Sequence, residues 1–157
     1  MPIRIDVLRH GIAEPFHEEG DHARPLTREG ETAIEALAAR LKVANWRPDR
    51  AYSSPFRRAQ QTMALMIERA ELPLSPQLMS ELEHESTPPD LELALLPTLG
   101  QARHVLLVSH QPLVGLLAHH WTGTRVPFAP GDLLGIEFSS TIARGAGRIV
   151  ERISSQQ

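Results

Sequence analysis

Three short runs of this 157-residue chain hold the side chains best suited to chemistry on an anion. They are Leu8-Arg9-His10-Gly11, Ser53-Ser54-Pro55-Phe56-Arg57-Arg58 and Val108-Ser109-His110-Gln111-Pro112. Arginine offers a planar fork of donors that matches phosphate oxygens. A helix N-terminus adds backbone N–H groups and a favourable dipole. Two arginines, two histidines and helix N-termini in one place would make an anion site, most naturally for phosphate. Taken singly, each run has a plain structural use. A histidine at a strand end is commonly a hydrogen-bonded structural residue, and Arg57 and Arg58 could simply solvate a helix face. Their order and their shared position, each at a strand-to-helix junction, favour the phosphate reading.

An alternation of strands and helices must position these runs. Ile3, Ile5 and Val7 alternate with Arg4 and Asp6, and Leu8 follows, which predicts a strand that stops at Gly11. Residues 12–26 read as loop. Thr27 reads as the N-cap of a helix with Glu29 and Glu31 in its first turn and Ile34, Leu37, Ala38, Leu41 and Ala44 on its apolar face. A short strand over 49–53 follows. Ser54 is then expected as N-cap and Pro55 as first residue of a second helix, which runs to Ala70 on Ala59, Met63, Met66, Ile67 and Ala70. A short extended piece is expected over 77–79, and Pro88-Pro89-Asp90 opens a third helix that Gly100 closes. Residues 105–108 are apolar without alternation, as in a strand covered on both faces. A helix over 112–121 and an antiparallel pair, Leu133–Phe138 with 148–153, complete the chain. The pattern predicts a single domain over 1–157 of α/β class: a three-layer α/β/α sandwich, mostly parallel, with an antiparallel edge. In such a sheet, ligands bind outside the carboxyl ends of the strands, so the three junctions can converge on one pocket.

With the motifs in place, a family resemblance is plain. Arg9-His10-Gly11, Arg24-Pro25-Leu26-Thr27 with Gly30, the run from Ser54 through Thr62, and Ser109-His110-Gln111-Pro112 resemble the histidine phosphatase superfamily. The short length and the Arg-Pro-Leu-Thr element look like its SixA type, bacterial phosphohistidine phosphatases. The resemblance covers residues 3 to about 121. It implies His10 as the nucleophile that accepts the phosphoryl group, Arg9 and Arg58 as clamps on its oxygens, and His110 as a further donor to them. The family pattern selects Arg58 over Arg57. It puts Arg24 at the pocket rim and offers Glu81 as a proton donor, although a solvated acidic loop shared with Glu83 and Glu85 reads equally well. Gly11 is expected to let the backbone approach the anion with no Cβ in the way. The scheme needs no metal or cofactor, because arginines supply the positive charge. Its substrate would be a phosphohistidine-containing protein such as a histidine phosphotransfer domain, with phosphate or sulfate able to fill the pocket.

Composition removes other classes. Sixteen basic against 19 acidic residues leave a net charge of −3, with no general basic character to hold nucleic acid. The absence of cysteine excludes thiolate metal sites, disulfides and cysteine nucleophiles. No apolar stretch approaches the ~20 residues of a spanning helix, so no membrane partner and a cytoplasmic location are expected. His17 and His22 lie five apart in a glycine-containing loop and cannot form a helical metal face. Two other functions remain open at this level: a broad phosphomonoesterase on small metabolites, and a non-catalytic phosphate-binding module. Only 51 residues, 59–109, separate Arg58 from His110, which leaves no room for the sizeable helical lid that metabolite-specific relatives often insert.

Overall fold

The computed structural model describes residues 2–155. Strands β1 (Ile3–Arg9), β2 (Arg50–Ser53), β3 (Gln77–Leu78), β4 (His104–Ser109), β5 (Leu133–Phe138) and β6 (Gly147–Ile153) form one sheet. Its order is β3-β2-β4-β1-β5-β6. The first four run parallel, and β5 and β6 pair antiparallel at one edge. Helices α1 (Arg28–Val43), α2 (Arg57–Arg69), α3 (Pro88–Leu99) and α4 (Leu113–Thr122) cover its faces.

The uniformly apolar β4 shows why three layers form. Val105 and Leu107 join one buried cluster with Leu91 and Leu95 of α3 and Leu113, Leu117 and Trp121 of α4. Leu106 and Val108 point the other way, into a cluster with Ile34, Leu37 and Leu41 of α1 and Met63 and Met66 of α2. Each fully buried side chain of this kind contributes about 1.5–3 kcal/mol. Leu91 and Leu95 form the buried face of α3 within this cluster. The chain between α2 and β4 supplies only β3, a single 3₁₀ turn (Ser80–Leu82) and α3, so no sizeable lid is inserted.

Several local expectations change. Helix α2 begins at Arg57 with Phe56 as its N-cap, not at Ser54-Pro55. Ser54 is not a cap because its Oγ accepts the Phe56 N–H at 3.1 Å, closing a turn one step before the helix. Gly100 does end α3, but with φ −75°, so its left-handed freedom is not used. That conformation falls instead to Asn45 after α1, Glu71 after α2 and Gly123 after α4. Thr27 caps α1 as expected, its Oγ accepting from Gly30 N at 2.9 Å.

The 12–26 segment is better defined than a plain loop. Its ends are bridged at Ala13 and Leu26, and it holds a 3₁₀ turn at Asp21–Ala23. Gly30 lets it close on α1, since a Cβ there would meet Ile12 O at 2.2 Å. Gly11 serves the same contact. Its missing Cβ faces Ile34 Cγ1 at 3.0 Å and Gly30 O at 3.3 Å, so helix packing, not approach to an anion, requires the glycine. Among the described residues no helix is long and apolar enough to cross a membrane.

Candidate active site

His10 follows the last residue of β1 and is almost wholly buried. Its backbone N–H donates to Ser109 O at 3.0 Å, tying the end of β1 to the end of β4. The ring sits with Nδ1 2.7 Å from the carbonyl of Gly11. A carbonyl only accepts, so Nδ1 carries the hydrogen and Nε2 is left with its lone pair. Arg58 Nε donates to that Nε2 at 3.3 Å. Burial, aided by the charges of Arg58, Arg9 and Arg24, lowers the His10 pKa to about 4 despite the Gly11 hydrogen bond. At neutral pH the imidazole is therefore uncharged and nucleophilic.

Arg58 reaches the site from the first turn of α2 and is 4% exposed. Thr62, one turn on, fixes its start: Thr62 Oγ1 donates to Arg58 O at 2.8 Å and accepts Gly11 N at 3.1 Å. The Arg58 guanidinium also donates to the Asp21 carbonyl at 2.7 Å and to Asp21 Oδ2 at 3.2 Å. Asp21 Oδ1 accepts from Arg24 Nε at 2.8 Å. One carboxylate thus bridges two arginines. Partial burial raises its pKa, but hydrogen bonds from Arg24 and Arg58 outweigh that and hold it below the ordinary value. Arg9 sends Nη1 to Phe128 O at 2.7 Å and lines the pocket.

His110 lies beside His10, with ring centroids 5.0 Å apart. Its Nε2 is 2.7 Å from Ser54 Oγ, the hydroxyl freed from helix capping. Burial, then the neighbouring His10, Arg58 and His84, push its pKa down to about 2. His84 packs edge-on against His110 at 6.0 Å and against Phe56 at 5.6 Å. Three buried side-chain nitrogens among the described residues have no partner within the protein: Arg9 Nε, His84 Nδ1 and His110 Nδ1. All three residues line the same cavity of about 370 Å³, together with His10, Arg58, Arg24 and Asp21. Buried polar groups are nearly always paired in native proteins. The residues that carry them surround one cationic pocket, whose three arginines suit an anionic ligand.

The structure therefore brings together Arg9, His10, Arg24, Arg58 and His110. Arg57 stays outside, exposed, with Nη1 3.5 Å from Ala23 O. Glu81 also lies elsewhere, in the Ser80–Leu82 turn, lining a separate cavity of about 450 Å³ with Glu83, Glu85 and Asp90. Sequence reasoning missed Asp21 and His84. Asp21 sits three residues before Arg24, and that spacing was the available signal; His84 had none beyond its type. Among the described residues no group of three or more histidine, aspartate or glutamate side chains could hold a metal ion.

A parallel α/β sandwich with arginines and paired histidines at its strand ends is the architecture of a phosphate-handling protein. The sequence pattern of the histidine phosphatase superfamily (branch 1) matches residues 5–83, and the chain belongs to that superfamily. Phosphohistidine phosphatase SixA of Escherichia coli (strain K12) is 32% identical over 121 residues, 73% of this chain and 71% of that one. The solved structure of the protein histidine phosphatase SixA complexed with tungstate has a TM-score of 0.89 at 26% identity, covering 98% of both chains. Mycobacterial glucosyl-3-phosphoglycerate phosphatase, at 16% identity, shares the fold with a TM-score of 0.70, covering 96% of this chain and 98% of that one.

Proposed function

We propose that this chain is a phosphohistidine phosphatase that removes the phosphoryl group from a histidine on a partner protein, such as a histidine phosphotransfer domain. The observation that carries the reading is the His10 ring: Nδ1–H is held on Gly11 O at 2.7 Å, so Nε2 is the free nucleophile beside Arg58. The phosphoryl oxygens enter between Arg9, Arg58 and His110, and Arg58 turns its Nε–H from His10 to an oxygen. His10 Nε2 then attacks phosphorus, and the imidazole of the substrate leaves. Water attacks the resulting phospho-His10 and releases inorganic phosphate. The transition state is loose, so catalysis rests on positioning and charge, which the arginine forks supply.

Two features support a protein-borne phosphohistidine over a metabolite ester. An imidazole nitrogen, with an ordinary pKa of about 6.5, departs far more readily than an alkoxide once protonated. No sizeable helical lid is inserted between α2 and β4, where only β3, a 3₁₀ turn and α3 stand. A side chain still attached to a folded partner can therefore reach the strand-end cavity. The test is phosphate release across phosphohistidine proteins, sugar phosphates and glycerate phosphates. The account expects kcat/KM to favour the phosphohistidine proteins by at least about tenfold. A sugar or glycerate phosphate turned over orders of magnitude faster would assign the chain to metabolite hydrolysis, and no turnover of any substrate would make it a binding module.

A further inference from the structure

We propose that Asp21 is a specificity-determining residue of this site: its carboxylate fills a second anion position, between Arg24 and Arg58, and turns away substrates with an anionic group close to the phosphoryl group. The inference rests on the phosphatase reading above and narrows its substrate class. Among the described residues, Asp21 is the one carboxylate that lines the cavity. Its Oδ1 accepts from Arg24 Nε at 2.8 Å and its Oδ2 from Arg58 Nη2 at 3.2 Å. Each guanidinium thus gives a donor to the protein's own anion.

More than the side chain holds Asp21 there. Its carbonyl accepts from Arg58 Nη1 at 2.7 Å and from Arg24 N at 3.2 Å, so backbone and carboxylate are tied to the same two residues. Arg24 in turn gives Nη1 to Glu14 O at 2.7 Å. All of these lie in the segment whose ends are bridged at Ala13 and Leu26, apart from Arg58 on α2. Burial opposes ionisation of Asp21, but the hydrogen bonds from Arg24 and Arg58 outweigh it and keep the carboxylate charged. The Asp21 side chain is 53% exposed against 5% for Arg58, so a molecule entering from solvent can meet the carboxylate directly.

Charge decides what this arrangement selects. Arg9, Arg24 and Arg58 bring three positive charges to the cavity, and Asp21 brings one negative charge. Their sum of +2 matches a phosphoryl dianion and leaves nothing over for a further anion. A carboxylate or second phosphate on the substrate would find Arg24 already paired and a like charge beside it, which is how a site rejects a wrong partner. Without Asp21, Arg24 and the outer donors of Arg58 become free for that second group. The class accepted is therefore a phosphoryl group on a carrier that is neutral or basic around it. A phosphorylated side chain with no acidic neighbour fits; a bisphosphate or a phosphorylated carboxylic acid does not.

Two phosphonates of one length test this: 3-phosphonopropionate, which ends in a carboxylate, and propylphosphonate, which ends in a methyl group. Isothermal titration calorimetry compares them on wild-type protein, Asp21→Ala, Asp21→Asn, Asp21→Glu and Asp21→Ala combined with Arg24→Ala. The affinity ratio of carboxylated to plain ligand should rise at least about tenfold in Asp21→Ala and about threefold in Asp21→Asn, a fraction of what a close like charge exerts in a partly solvated site. Asp21→Glu keeps the charge and should keep the wild-type ratio, and the added Arg24→Ala should cancel most of the gain. An unchanged ratio in both Asp21→Ala and Asp21→Asn, including no binding of 3-phosphonopropionate to either, overturns the proposal. An equal rise in Asp21→Glu, or a gain that persists in full without Arg24, overturns it as well. The readout needs no turnover. A wild-type protein that releases phosphate from no ester or phosphohistidine defeats the phosphatase reading instead, so the two failures are distinguishable.

Discussion

Strand β1 carries an arginine and an acidic or basic partner at each end, and the two ends are finished in opposite ways. At its start, Asp6 is completely buried, yet its carboxylate accepts from Arg4 Nε at 2.9 Å, Trp46 Nε1 at 2.6 Å and His104 Nε2 at 2.5 Å. Arg4 in turn reaches Glu151 at 2.6 Å. Burial opposes the Arg4 charge, but Asp6 and Glu151 outweigh it and raise its pKa. Just past its other end, the His10 pocket gathers three arginines against one partly exposed aspartate, depresses both of its buried imidazoles, and leaves three nitrogens unpaired. The first cluster is closed and structural. The second is an open cationic cavity, and that difference separates a scaffold from a site more sharply than burial or charge alone.

The comparison breaks most visibly if the closed cluster is opened. Asp6→Ala leaves the Trp46 indole N–H and the His104 ring without their acceptor, while Arg4 keeps Glu151, and a buried donor left unsatisfied costs about 1–3 kcal/mol. Urea denaturation should show a loss of that size, while the protein that remains folded keeps its kcat/KM. A stability change below about 1 kcal/mol would mean that the Asp6 cluster is not what holds the start of β1.

The open cluster should respond in the reverse sense. Arg58→Ala is expected to lower kcat/KM at least about 100-fold, the scale of ~3 kcal/mol for a lost transition-state donor, with little loss of stability. Arg57→Ala, which removes only an exposed side chain, should change kcat/KM less than about threefold. Equal losses from the two variants would erase the distinction that the structure draws between them.

A smaller effect is expected from pH. His10 has a folded-state pKa of about 4 against an ordinary 6.5. Below pH 6.5 the unfolded chain takes up a proton that the folded protein refuses, so stability present above 6.5 is progressively lost as pH falls toward 4. His110 acts in the same direction. His10→Gln should flatten this acid decline in the melting temperature. An equally steep decline in the variant would show that His10 contributes nothing to it.

Much of this was legible in the sequence because it depends on periodicity. The strand at 105–108 read as covered on both faces because no polar residue interrupts it, and the helical stripe from Ile34 to Leu41 lies on the sheet as spaced. Thr27 was legible as a cap because it bonds within its own helix. Ser54 was not, because its hydroxyl is contested by a turn N–H and by His110, which is 56 residues away. Arg9, His10, Arg58 and His110 could be picked out by type and strand-end position. His84 could not, since it belongs to the site only through partners on other elements, and Asp21 offered only its spacing to Arg24. The pairing with Arg24 is local, but the bridge to Arg58, 37 residues on, is not. Glu81 shows the converse: the right type near the right motif, turned by a 3₁₀ helix into another cavity.

The claim on which the account rests is that His10 carries the phosphoryl group. Rapid-quench of wild-type protein with a ³²P-labelled phosphohistidine protein, followed by peptide mapping under alkaline conditions, measures this directly. The account predicts a base-stable, acid-labile label on His10 that forms before phosphate is released, and no label and no turnover in His10→Ala. Label-free turnover by the wild type, or near-normal turnover by His10→Ala, would contradict it.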